Sequence, residues 1–168
     1  MRSPLIAAGI AVLCAAGVAA EGNPLPNNLL TAQPGEWALV ADVENPAEPI
    51  RISIVARGVE GGEDFVLLRR EHLDAEGKVS ETHDRRVKLS RYQERLDRLN
   101  QRASRVTREK MDFHDREITV YAVEWQSERT GSELKLWFSA DIPVTGFVRM
   151  WSSNPEYPTH ELTAYGRD

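Results

Sequence analysis

The stretch from Ile118 to Ser139, ITVYAVEWQSERTGSELKLWFS, contains two runs of alternating side chains that are apolar on both faces. Alternation at period two predicts β-strands, because successive side chains of a strand point to opposite faces. In the first run one face carries Ile118, Val120 and Ala122, and the other carries Tyr121, Val123 and Trp125. A sheet that is apolar on both faces needs cover on both sides.

The same alternation continues on either side of this stretch. Further strands are predicted to start near Glu36, Ile50, Phe65, Val79, Val106, Gly146 and His160. Short turns between consecutive strands favour antiparallel pairing. The sequence therefore predicts one α+β domain, mostly β, over residues 36–168: a curved antiparallel sheet or half-barrel of about nine strands.

One segment, about residues 90–104, has a helical rather than a strand period. Apolar side chains recur in it at Tyr92, Leu96 and Leu99, and Ser90 with Gln93 has the spacing of a capping box. A helix about 10 Å wide covers only about two strands spaced 4.8 Å apart. We therefore expect the rest of the cover to come from strong curvature of the sheet, from the N-terminal arm or from a ligand, with the helix across the mouth of the sheet.

Residues 1–20 have the pattern of a secretory signal peptide. Arg2 precedes an apolar run from Leu5 to Ala20, and Val18-Ala19-Ala20 predicts cleavage after Ala20. The run would form about 24 Å of helix, short of a bilayer core of about 30 Å. We therefore expect a periplasmic or secreted protein with no transmembrane segment after cleavage.

The only cysteine, Cys14, lies inside this leader. Leu13 before it is bulkier than the small residue that precedes a lipid-acceptor cysteine, so an ordinary signal peptide is favoured and lipidation stays open. Without the leader the chain has no disulfide and no cysteine ligand. Residues 21–35, with three prolines and two glycines, predict an extended N-terminal arm.

The predicted helix has a stripe of arginines beside its apolar side. Its members follow at spacings of 4, 3, 4 and 3: Arg91, Arg95, Arg98, Arg102 and Arg105. Residues 84–110 carry ten basic and four acidic side chains, although the whole chain has a net charge of −5. The stripe either contacts an anionic lipid, a polymer or an acidic protein partner, or is a solvated face paired with Glu94, Asp97 and the acidic strands. Net acidity argues against nucleic acid as the partner.

The four tryptophans fall on four different predicted strands, at Trp37, Trp125, Trp137 and Trp151. Tryptophans in such positions usually pack in a core or in cross-strand pairs. The alternative is that Trp125 and Trp137 line an apolar concavity that the helix leaves open.

No catalytic or cofactor motif occurs in the chain. There is no nucleophile elbow, no phosphate-binding glycine loop and no dinucleotide fingerprint. His72 and His83 flank the Glu76-Gly77 turn, but the histidines lack the spacing of a metal site. We expect no enzyme activity, no cofactor and no metal.

The C-terminal part of the chain resembles a known kind of exported protein. The resemblance rests on LWFSADIPVTGFV at residues 136–148 and ELTAYG at 161–166, together with Asn23-Pro24-Leu25 and Gly35-Glu36-Trp37. These segments are similar to uncharacterised exported bacterial proteins and to the half-barrel fold of the periplasmic lipoprotein carriers LolA and LolB. The resemblance implies a curved sheet with a proline turn and a closing strand, and it brings no catalytic residues.

Two functions are compatible with these observations. The first is a non-enzymatic binding or interaction module of the cell envelope that uses the arginine stripe. The alternative is a carrier or sensor of an acyl chain or another apolar ligand held in the concavity of the sheet.

Overall fold

The computed structural model of the protein describes residues 25–127 and 130–168. The predicted signal peptide, its cleavage site and the first part of the N-terminal arm lie outside the described residues. The strands are β1 (Glu36–Asp42), β2 (Ile50–Glu60), β3 (Glu63–Leu73), β4 (Val79–Lys88), β5 (Arg105–Phe113), β6 (Arg116–Gln126), β7 (Glu133–Phe138), β8 (Phe147–Ser152) and β9 (His160–Arg167), and the α-helix α1 spans Leu89–Arg102.

The nine strands form one antiparallel sheet in the order β4-β3-β2-β1-β9-β8-β7-β6-β5. Two meanders, β1–β4 and β5–β9, meet at the centre, where β1 pairs with β9 from Glu36 opposite Arg167 to Asp42 opposite His160. Helix α1 connects β4 to β5, the two outer strands. The predicted fold of nine antiparallel strands and, in the described residues, one α-helix is confirmed.

The sheet is open and is not strongly curled, so it does not reach the half-barrel form of the prediction. Its cover comes instead from other parts of the chain. Leu89 and Leu96 of α1 are buried, and so are Leu25 and Leu29 of the N-terminal arm. Because the helix and the arm shield apolar side chains, the sheet does not need to close on itself.

Helix α1 begins one residue earlier than the sequence predicted. The N-cap is Lys88, which makes no side-chain capping bond, so the predicted capping box of Ser90 and Gln93 is wrong. Burial of Leu89, which is 6% exposed, fixes the start directly after β4. Neither α1 nor the short 3-10 helix among the described residues has the length and apolar character of a bilayer-spanning segment.

The predicted arginine stripe extends beyond the end of α1. Arg102 is the last helical residue, and the Ser104 N–H donates to the Glu124 carbonyl at 2.8 Å. This bond starts the pairing of β5 with β6, so Arg105 lies on a strand and not on the helix. The spacing of the arginines continues at a helical period through Arg105, but it contains no information about the neighbouring strand β6, which pairs with this segment.

The described part of the N-terminal arm is not extended throughout. Asn28–Leu30 form a 3-10 helix that places Leu29 fully inside the core and leaves Leu30 54% exposed. The Asn28 side-chain amide donates to the carbonyls of Ser139, at 2.9 Å, and of Ile142. The arm is thereby fixed to the connection between β7 and β8.

That connection, residues 139–146, is here called the arch, and it contains the SADIPVTG segment of the resemblance. The Ser139 hydroxyl donates to the Thr119 carbonyl at 2.7 Å. Val144 and Gly146 have positive φ angles of 64° and 70°. A Cβ on Gly146 would lie 2.8 Å from the Ser139 oxygen, so only glycine fits there. These residues hold the arm and the sheet together.

Candidate functional site

A cleft of about 1320 Å³ lies between α1 and the sheet. Most of the side chains that line it are apolar: Val40, Ile52, Tyr92, Leu96, Leu99, Trp125, Leu136, Phe138, Phe147 and Met150. Its polar lining consists of Arg95, Arg98, Arg102, Gln126, Ser127, Thr145 and His160. Ligand sites are usually clefts of this kind, with mostly apolar walls and a few polar groups.

The floor of the cleft is built by strands that are remote in sequence. Val40 on β1, Ile52 on β2, Leu136 on β7 and Met150 on β8 all face it. Leu136 and Met150 are direct partners across the β7–β8 pair, so their side chains share a face. Alternation in the sequence predicts which side chains share a face within one strand. Only the order of the strands in the sheet places these four residues on one surface.

The N-terminal half of α1, together with Leu96 directly after it, is anchored to the rest of the protein. Leu96 packs with Val123, Phe138 and Leu25 in one apolar cluster. The Tyr92 hydroxyl donates to the Thr145 carbonyl at 3.4 Å. Burial raises the pKa of Tyr92, with a smaller opposing effect of the Arg95 charge, so the phenol is neutral at physiological pH.

A second bond ties the same half of the helix to the arm. The Asn27 amide donates to the Gln93 side-chain oxygen at 2.9 Å. Both bonds are made in the first two turns of α1. The last two turns carry Leu99 and Arg102, which both line the cleft and form its helix wall.

Three arginines of the predicted stripe line the cleft: Arg95, Arg98 and Arg102. None of the three makes an ion pair with a residue that the structure describes. Arg91 lies outside the cleft and pairs with Glu94 at 3.6 Å. The structure therefore brings three of the five predicted arginines together and separates Arg91 and Arg105 from them.

The two tryptophans proposed for the concavity lie on opposite faces of the sheet. Trp125 lines the cleft, and its partner Leu134 shares its face. Trp137 alternates with Leu134 and Leu136 and so points to the other face, where its indole N–H donates to a Glu109 carboxylate oxygen at 2.7 Å. Trp137 therefore does not line this cleft, because alternate residues of a strand point to opposite faces of the sheet.

The histidines and carboxylates do not form a metal centre in the described part of the chain. His83 Nε2 lies 2.9 Å from Glu81, and His72 Nε2 lies 4.0 Å from the same carboxylate, both on the exposed β3–β4 hairpin. In residues 25–127 and 130–168 there is no group of three or more ligating side chains placed to hold an ion. His160, which borders the cleft, has its Nδ1 3.1 Å from the Pro158 carbonyl.

No protein-family model matches the chain, and comparisons with curated proteins and with solved structures give no significant match. The resemblance to exported half-barrel proteins therefore stays a prediction. Function has to be argued from the cleft and from the residues around it.

Proposed function

We propose that the protein binds an apolar chain, such as the acyl chain of a lipid, in the cleft between α1 and the sheet. The observation that carries this proposal is a space of about 1320 Å³ with mostly apolar walls that the described side chains leave open. It exceeds the range of about 300–1,000 Å³ that is usual for ligand sites. The second function predicted from the sequence, a carrier or sensor of an apolar ligand, is thus favoured over an interaction module alone.

The energetic argument concerns the exposed apolar surface of the cleft. Side chains such as Trp125, Leu136 and Phe147 face a space that water can enter. An occupant that removes this surface from water contributes about 0.8 kcal/mol for each methylene group that it buries. A chain of several methylenes therefore has enough free energy available to offset the cost of association.

The predicted leader would place this activity in the periplasm or outside the cell. A soluble protein with an apolar cleft suits that compartment, because acyl chains that cross it need shielding from water. We propose no chemical step, and the ligand leaves the cleft as it entered.

The direct test uses N-phenyl-1-naphthylamine, an uncharged apolar fluorophore. We expect saturable binding with energy transfer from Trp125, whose side chain lines the cleft. Trp125→Phe should lower this transfer, because it removes the tryptophan whose side chain lines the cleft. Trp151→Phe, at a position that is 38% exposed and does not line the cleft, is the matched control and should retain it.

Two outcomes would contradict the proposal. One is the absence of saturable binding of the fluorophore to the folded wild-type protein. The other is equal energy transfer in both variants, which would place the fluorophore outside the cleft. The melting temperatures of both variants show whether the fold is retained, since Trp→Phe conserves most of the aromatic volume.

A further inference from the structure

We infer that the ligand is an anionic amphiphile, whose chain occupies the apolar cleft while its anionic head group binds Arg95, Arg98 and Arg102. This inference rests on the proposed function and names the class of ligand that the same cleft takes. The head group is a carboxylate or a phosphate, because the guanidinium fork pairs with both in a bidentate manner.

The first step is the placement of the three cations. They follow at spacings of three and four residues, so they project from one side of α1 within about 10 Å of helix. Leu96 and Leu99 lie between them in sequence and line the same cleft. One wall therefore presents a row of positive charges directly beside apolar surface, which is the arrangement that an amphiphile matches.

The second step is electrostatic. The two acidic residues of the helix are engaged elsewhere, since Glu94 pairs with Arg91 and Asp97 accepts a hydrogen bond from Gln93. Like charges three and four residues apart on a helix repel each other. A bound anion removes this repulsion, so the row of cations favours an occupied cleft over an empty one.

The third step distinguishes the arginines that line the cleft from the other arginines of the same basic stretch. Arg105 and Arg108 on β5 also make no ion pair with a described residue, yet they do not line the cleft. They lie in the same basic stretch of the chain, as does Arg91. The chain thus offers three comparison arginines outside the cleft: Arg105 and Arg108 on β5, and Arg91 on the helix, which pairs with Glu94.

The experiment compares dodecanoate with 1-dodecanol, which have the same chain length and differ in head-group charge. Each displaces N-phenyl-1-naphthylamine from the wild-type protein and from two triple variants. The cleft variant is Arg95→Gln, Arg98→Gln and Arg102→Gln, and the control variant is Arg91→Gln, Arg105→Gln and Arg108→Gln. Both variants lose three positive charges.

We expect dodecanoate to bind wild type about tenfold or more tightly than 1-dodecanol, because hydrogen bonds to charged groups are stronger than those between neutral groups. In the cleft variant the affinities for dodecanoate and 1-dodecanol should become equal, because only the affinity for dodecanoate falls. In the control variant the preference for dodecanoate should be retained. Added salt should reduce the preference in wild type.

Failure of this inference and failure of the proposed function give different results. Equal displacement by both compounds in wild type overturns the anionic head group and leaves the apolar site in place. Displacement by neither compound, with no binding of the fluorophore, overturns the apolar site itself. If the cleft variant keeps the preference for dodecanoate, the head-group site is overturned. The same holds if the three substitutions reduce only salt-sensitive binding to phosphatidylglycerol vesicles and leave dodecanoate binding unchanged.

Discussion

Individual residues on the two faces of the sheet have different energetic roles, and Trp137 shows this most clearly. It is 9% exposed, donates its indole N–H to Glu109 and lies under two cations, Lys135 at 4.8 Å and Arg149 at 5.7 Å from the ring centroid. Cations above an indole ring stabilise it further. The residue is therefore a structural anchor on the face away from the cleft.

We expect Trp137→Ala to lower the free energy of unfolding by about 3–5 kcal/mol, because it leaves a large cavity. Trp137→Phe keeps an aromatic ring but loses the pyrrole part of the indole together with its hydrogen bond, which should cost about 1–3 kcal/mol. Urea titrations monitored by circular dichroism measure both. Trp151→Phe, at an exposed position, should change stability by less than about 0.5 kcal/mol. A Trp137→Ala protein as stable as wild type would contradict the assigned burial.

The Asn28 amide is a second residue with a structural role that its type alone does not reveal. Among the described residues, Asn28→Ala removes the donor of the Ile142 carbonyl and leaves the Ser139 carbonyl with only the Ile142 N–H at 3.5 Å, and the expected cost is about 1–3 kcal/mol. Asn45→Ala, at an exposed turn, is the comparison and should have little effect. Equal unfolding midpoints for the two variants would show that the arm does not hold the arch.

At the scale of elements, the β3–β4 hairpin carries exposed charged pairs between its two strands. Residues 79–86 of β4 are all exposed, and charged side chains on such an outer strand discourage pairing with other chains. Arg69 binds Asp84 through two bonds of 2.8 and 2.9 Å. These bonds hold the pKa of Asp84 below its ordinary value of 3.8, and the Lys88 hydrogen bond likewise lowers the pKa of Glu63.

The sign of the pH dependence follows from these lowered pKa values. A carboxyl group whose pKa is lower in the folded state stabilises the fold above its unfolded pKa, and this contribution is lost as the pH falls through the folded pKa. The urea midpoint of wild type should therefore fall between pH 7 and about pH 2.5. Asp84→Asn should reduce that fall slightly, since the pair is exposed. A larger acid sensitivity in Asp84→Asn would contradict the assigned pair.

The elements also show what a sequence can and cannot predict. Strand alternation is local, so nearly all strands and the helix were located within a few residues. The start of α1 was missed by one residue, because burial of Leu89 decides it. The resumption of strands near Arg105 was predicted, but Arg105 was also counted in the helical stripe, to which it does not belong. The floor of the cleft was not predictable in detail, since Val40 and Leu136 meet only through the order of the strands.

At the scale of the whole molecule, stability should be distributed unevenly. Val120, Ala122 and Val123 of β6 are fully buried, whereas most of β4 is exposed. Helix α1 lies between these extremes, because one side of it packs on the apolar cluster of Leu96 and the other borders the cleft. Regions with few buried contacts open most readily to solvent.

Hydrogen exchange followed by mass spectrometry tests this order. Amides of β4 should exchange first, those of α1 next and those of β6 last. Saturation with N-phenyl-1-naphthylamine should slow exchange in α1, because a ligand at 100 times its Kd adds about 2.7 kcal/mol to the stability of the state that binds it. β4, which does not line the cleft, should change little in its local opening. Equal slowing in β4 and α1, or none in α1, would show that the ligand does not use the helix as a wall of its site.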